Sequence, residues 1–113
     1  MINTQLKETT EDLLLMHEYG VNVKDRTVYL MGEFGGEADV VEMVLTNLRH
    51  LTSEASFPND FLKPVTMVID SPGGEDIAMF HLYDFMVTCK TPIHTIGTGE
   101  VCSAAALILV AGE

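Results

Sequence analysis

Tryptophan is absent from this 113-residue chain, proline occurs four times, and the only cysteines are Cys89 and Cys102. So few cysteines do not make a disulfide-stapled secreted scaffold; they point to reduced thiols and a cytoplasmic location. The opening stretch MINTQLKETTEDLLLMHEYG has no basic region followed by a long apolar core, so no export signal is visible in it. Basic residues are scarce as well, 6 Lys and Arg against 17 Asp and Glu, for a net charge of −11. That balance argues against nucleic acid and against an anionic membrane surface, both of which need a basic face. Long apolar runs are missing too. The strongest, Ala104 to Ala111, is far too short to cross a bilayer. The histidines and cysteines have no metal-ligand spacing, so neither a metal nor a cofactor is expected.

What is present is a globular composition, 47% apolar and 20% charged, at a length that allows one modest domain. No internal repeat or low-complexity tract interrupts it. The first 20 residues are polar and acidic, with an apolar patch at Leu13–Met16 that suggests one or two helical turns. RTVYLMG (26–32) is β-branched and aromatic and reads as a strand closed by Gly32. From Glu37 to about Ser53, Val41, Val44, Leu45, Leu48 and Leu51 recur at helical spacing. SEASFPNDFLKP (53–64) reads as a loop with Pro58-Asn59-Asp60 as its turn. VTMVID (65–70) is a second strand, apolar enough to be buried on both faces. Ala78, Leu82, Phe85 and Cys89 mark one face of a second helix, IHTIG (93–97) a third strand, and Cys102 to about Ala111 a third helix. Strands alternating with helices predict a largely parallel sheet with right-handed crossovers.

Two strand-to-helix turns stand out. In the first, Asp70-Ser71-Pro72-Gly73-Gly74, proline removes a donor and fixes φ while two glycines open conformations closed to other residues. A sharp connection is one explanation; backbone N–H groups that face a negative charge is the other. In the second, GEVCSAAALILVAG (99–112), small residues crowd the helix start and Ser103 stands at the helix N-terminus. A helix cap is the plain reading of a serine there. In a parallel sheet, however, both turns emerge on the same edge. That puts a hydroxyl beside the bare backbone of Gly73 and Gly74 and the N–H of Ala104, the constellation that acyl transfer requires.

The stretches VKDRTVYLMG, SPGG followed by LYDFM, and TIGTGEVCSAAALILVAG resemble the proteolytic subunit of the Clp protease. Its fold family is shared with crotonases and signal-peptide peptidase A. The resemblance runs from about Val21 to Gly112. It implies an α/β fold, a ClpP/crotonase-like spiral of strand–helix (ββα-type) units with a mainly parallel sheet. It divides the chain into an N-terminal segment (1–20), whose role in an axial gate stays open, and an incomplete domain (21–113). Ser103 resembles the nucleophile, and Gly74 and Ala104 resemble the residues whose N–H groups form the oxyanion hole. The family's triad histidine and aspartate lie downstream of the nucleophile helix, so the expectation is that both fall outside these residues and that the C-terminal part of the domain is missing. His17, His50, His81 and His94 read as surface or strand residues without a catalytic place, and Cys102 as a buried thiol.

The resemblance implies a serine endopeptidase of the Clp type that degrades unfolded polypeptides. It also implies assembly into homo-oligomeric stacked heptameric rings fed by an ATP-driven unfoldase. The chain by itself is expected to be inactive, because its triad is incomplete. Two alternatives belong beside this one: a non-catalytic ring subunit or truncated relic, if no base follows, and a crotonase-like acyl-CoA enzyme, which SPGG with a serine helix disfavours.

Overall fold

From residue 26 onward the expected alternation is present. The computed structural model describes residues 9–36 and 39–113, so residues 1–8 of the expected N-terminal segment lie outside it. Its elements are α1 (Thr10–Tyr19), β1 (Val21–Asn22), β2 (Thr27–Met31), α2 (Val40–Leu51), β3 (Val65–Ser71), α3 (Asp76–Thr88), β4 (Ile93–Val101) and α4 (Ala104–Ala111). They build one sheet in the order β1-β2-β3-β4. β2, β3 and β4 are parallel, whereas the two-residue β1, which the sequence did not announce, runs antiparallel to β2.

Local chemistry accounts for the start of α2 and for both ends of α1. Asp39 caps α2 by accepting from Val41 N–H at 3.1 Å, and the five apolar positions at helical spacing are the ones it buries. The expected start at Glu37 falls on residues outside those described. α1 is longer than the one or two turns expected, because it is capped at both ends. Thr9 and Asp12 satisfy each other's backbone N–H groups, and Gly20, at φ +63°, returns its N–H to Met16 O.

The strand order decides which face of the sheet is covered. Consecutive parallel strands laid side by side with crossovers of one hand place their helices on one face. Accordingly α2 packs on β2 and α3, α3 on α4, and α4 on β3 and β4. Val28, Leu30, Val65, Met67, Ile69 and Ile93 are buried beneath this layer. β3 was expected to be buried on both faces and is not. Its residues alternate between buried and half-buried, because no described helix packs over the Thr66, Val68 and Asp70 side.

Outside the core, Arg26 ties the 53–64 loop to β2. Its guanidinium donates to Lys63 O at 2.9 Å and lies over the Phe57 ring. Partial burial lowers its pKa, with the Asp60 carboxylate opposing the shift. α3 and α4 turn Ile77, Phe80, Val87, Leu107 and Val110 outward, with Val110 80% exposed. No helix among the described residues is long and apolar enough to cross a membrane.

The α1 cap makes a pH prediction. Asp12 is held at about 2, below the ordinary 3.8, chiefly by the Thr9 backbone N–H and then by the Lys24 ammonium at 2.9 Å. A depressed carboxylate pKa gives stability that is present above the ordinary value and lost as pH falls through the folded one. The NMR shifts of the Thr9 and Asp12 amide protons should therefore titrate together with a midpoint near 2. In Asp12→Asn that joint transition should be absent.

Candidate active site

β3 and β4 are in register from Val65↔Ile93 to Ile69↔Gly97, and the ladder resumes at Ser71↔Val101. Two residues on β3 are thus spanned by four on β4, a bulge that carries β4 beyond the Gly97 where it was expected to end. The Asp70 carboxylate fills the bulge by accepting from Glu100 N–H at 2.9 Å. Gly99, at φ +62°, passes so close that an added Cβ would lie 2.8 Å from Asp70 Oδ1. This clamp moves the start of α4 from the expected Cys102 to Ala104. Cys102 therefore sits in the connecting turn and is exposed rather than buried, its Sγ 3.8 Å from a Glu100 carboxylate oxygen.

The turn from β4 into α4 is tight. Ala105 N–H donates to Cys102 O at 3.0 Å, and Ser103 between them has φ +54° and ψ −126°. Those angles match the first central position of a type II′ turn, about +60° and −120°, where glycine is the usual residue. A side chain at such a position costs roughly 1–3 kcal/mol and persists only where the surroundings enforce it. Ser103 occupies the cap position of α4, yet its hydroxyl makes no capping hydrogen bond and the residue is exposed. The plain cap reading therefore does not describe this serine.

The first turn lies directly against the second. A Cβ added to Gly73 would lie 2.7 Å from Cys102 O, 2.9 Å from Ser103 Cβ and 3.0 Å from Ala104 N. All three neighbours belong to the β4–α4 turn, so the two connections touch through backbone. Gly74 is as closely confined on its other side by Phe34, which bridges to it in parallel. Phe34 N–H donates to Gly73 O at 2.8 Å, and Glu75 N–H to Phe34 O at 3.1 Å. Among the described residues, neither Gly74 N–H nor Ala104 N–H donates to a protein acceptor.

The four histidines are elsewhere. His94 is at the opposite end of β4 from Ser103, His81 is exposed on α3, His17 on α1, and His50 on α2 packs edge-on against Phe57. No hydrogen bond among the described residues joins Ser103 Oγ to a histidine or a carboxylate. No described cluster of histidine, cysteine, aspartate and glutamate is arranged to hold a metal ion. Sequence reasoning missed the supports of the site: Asp70, Ser71 and Phe34. A serine that accepts from the N–H two residues on is ordinary turn chemistry, and that signal was available in Ser71-Pro72-Gly73. Nothing local marks Phe34.

A largely parallel α/β sheet whose adjacent strand-to-helix turns press a strained serine against a glycine pair defines the class of fold. The Clp protease family model matches residues 10–113. Among curated proteins, the chain is 35% identical over 106 residues to the ATP-dependent Clp protease proteolytic subunit 2 of Treponema denticola, covering 94% of this chain and 48% of that one. It is 35% identical over 91 residues to the subunit of the same name from Treponema pallidum, covering 80% and 42%. Among solved structures, the ClpP protease catalytic domain of Plasmodium falciparum superposes with a TM-score of 0.73 at 25% identity, covering 98% of this chain and 54% of that one. ClpP1 from Listeria monocytogenes does so with a TM-score of 0.68 at 32% identity, covering 80% and 49%. The chain belongs to the Clp protease family. It spans about half the length of the relatives it matches.

The backbone at Ser103 yields a prediction that separates strain from chemistry. In the full-length protein, Ser103→Gly and Ser103→Ala both remove the hydroxyl, but only glycine relieves a φ of +54°. Ser103→Gly should be more stable than Ser103→Ala by about 1 kcal/mol, read by denaturant unfolding. Equal stabilities would show that the turn is not strained.

Proposed function

We propose that this chain is the nucleophile-bearing part of a serine endopeptidase, the proteolytic subunit of an ATP-dependent Clp-type protease. The observation that carries the reading is Ser103, held at φ +54° and ψ −126° at a helix N-terminus with its hydroxyl uncapped, pressed against Gly73 of the neighbouring turn. In this scheme Ser103 Oγ attacks a peptide carbonyl, its proton passes to a base, and the carbonyl oxygen becomes an oxyanion. Gly74 N–H and Ala104 N–H, both without a protein acceptor among the described residues, receive that oxyanion. Collapse of the tetrahedral intermediate expels the amine with the transferred proton, and water then releases the acyl group from Ser103. The base and its orienting acid are assigned to residues beyond Glu113. Acyl transfer by this route requires neither metal nor cofactor.

The names of the relatives, proteolytic subunits of an ATP-dependent protease, support a polypeptide substrate and an ATP-dependent partner, and in this scheme the substrate is unfolded polypeptide and the partner an ATP-driven unfoldase. Nucleic acid and membranes are no part of this scheme. Assembly into stacked heptameric rings agrees with the apolar residues that α3 and α4 turn outward. A cytoplasmic location agrees with two unpaired cysteines. Residues 1–20 are the candidate axial segment.

The test of the mechanism is covalent labelling by a fluorophosphonate probe. The full-length protein should be labelled on Ser103, Ser103→Ala should abolish labelling, and Cys102→Ala should leave most of it. Gly74→Pro deletes one donor, worth about 3 kcal/mol in the rate, and should cost at least that much, because proline can neither adopt φ +138° nor clear the Phe34 backbone. The 113 residues by themselves should show no labelling above background. Label found on Cys102 would overturn the assignment.

Assembly has its own test. In sedimentation experiments the full-length protein should run as an oligomer, and the pair Leu107→Lys with Val110→Glu should shift it toward smaller species. An unchanged sedimentation coefficient would remove this face from the interface.

A further inference from the structure

Ser71 is the last residue of β3 and is completely buried. Burying a hydroxyl is costly unless its donor and acceptor capacities are met, and here both are. Ser71 Oγ donates to Gly32 O, just beyond the end of β2, and accepts from Gly73 N–H at 3.0 Å. A carbonyl can only accept and an N–H can only donate, so these two partners fix the direction of the hydroxyl. The main chain of the same residue reaches a third segment, because Ser71 O accepts from Cys102 N–H at 3.1 Å. One residue thus ties together the β2 terminus, the glycine pair and the turn that carries Ser103.

This arrangement has a consequence for the two glycines. Gly73 and Gly74 each bring one N–H to the turn, and Ser71 engages the first of them. The Gly73 carbonyl is taken by Phe34 N–H at 2.8 Å, which fixes the plane of the Gly73–Gly74 peptide from its other end. The N–H of that peptide belongs to Gly74 and is left without a protein acceptor among the described residues.

We propose that Ser71 is a positioning residue for acyl transfer. By holding Gly73 N–H inward it selects Gly74 N–H as the donor offered to the oxyanion, and through its carbonyl it sets where the Cys102–Ser103 turn lies relative to that donor. The proposal rests on the reading of Ser103 as nucleophile.

The experiment compares full-length wild type with Ser71→Ala and Ser71→Cys. It measures kcat and KM on a peptide substrate, the affinity of a peptide boronate that forms a tetrahedral adduct on Ser103, and the melting temperature. Ser71→Ala should lower kcat on the order of 10- to 100-fold, the loss expected when an aligned donor is misplaced. Boronate affinity should fall by a similar factor, while KM stays within about twofold, because the donor acts on the tetrahedral state rather than on bound substrate. Ser71→Cys, similar in size with a weaker donor and acceptor, should fall between alanine and wild type.

A merely structural serine would lower the melting temperature and leave the other readouts alone. A variant assayed well below its melting temperature with kcat and boronate affinity within about twofold of wild type overturns the proposal. Should Ser71→Ala fail to fold, the same criterion applied to Ser71→Cys decides. Active wild type with unimpaired variants removes the role of Ser71 alone. Wild type that neither turns over nor binds boronate at Ser103 removes the nucleophile reading, and this proposal with it.

Discussion

The close approach of two backbone turns, Gly73 against Cys102–Ala104, is the contact on which the rest of the site depends. An added methyl group at residue 73 would lie within 3.0 Å of three atoms of the opposite turn, all of them backbone or Cβ. Neither turn can retreat. The first is fixed by Phe34 on one side and by the Ser71 hydroxyl on the other, and the second by the Ser71 carbonyl and the start of α4. A glycine is needed at 73 for room as well as for its φ of +92°. The strain at Ser103 belongs to the same construction, since the surrounding hydrogen bonds leave its backbone no relaxed alternative.

The β4 bulge is what lets the turns meet. An uninterrupted ladder past Gly97 would spend as many residues on β4 as on β3. The observed register spends two more, and Asp70 holds them by accepting from Glu100 N–H. Successive side chains at the end of β3 therefore work in different directions: Asp70 toward the β4 bulge, Ser71 toward β2 and the glycine pair. A carboxylate and a hydroxyl at the end of a mainly apolar strand are consistent with this division of labour. Each satisfies backbone groups that the irregular ladder leaves unpaired.

Winding the parallel strands in one direction has a cost in coverage. The helices α2, α3 and α4 lie on one face, so the other keeps half-buried residues such as Tyr29 and Val68, with Ile96 50% exposed. On the helical side, α3 and α4 cover the sheet but no described element covers their outer faces, and Leu107 and Val110 face outward. Contiguous apolar residues on exposed helices are the usual mark of a surface that meets other protein. This agrees with a chain that matches about half of its relatives' length and with the proposed ring assembly.

Much of this was legible in the sequence, because the signals were local. Helical spacing at Val41, Val44, Leu45, Leu48 and Leu51 determined α2 and its buried face. β-Branched runs placed β2 and β3, and glycine and proline chemistry marked the SPGG turn. The motifs around Ser103 pointed to the family. Other features were decided by the tertiary structure. Gly97 read as the end of a strand, yet a carboxylate 27 residues earlier (Asp70 to Gly97) supports a bulge that carries β4 to Val101. Apolar β3 read as buried on both faces, but coverage depends on the order of strands, which no single segment encodes. Cys102 read as buried, until the displaced start of α4 left it in a turn. Phe34 and Ser71 carry no site motif of their own, and they matter through partners that the fold delivers from other strands. Periodicity and turn propensity act over a few residues and can be read along the chain, whereas hydrogen bonds and steric limits between distant segments exist only once the sheet has brought those segments together.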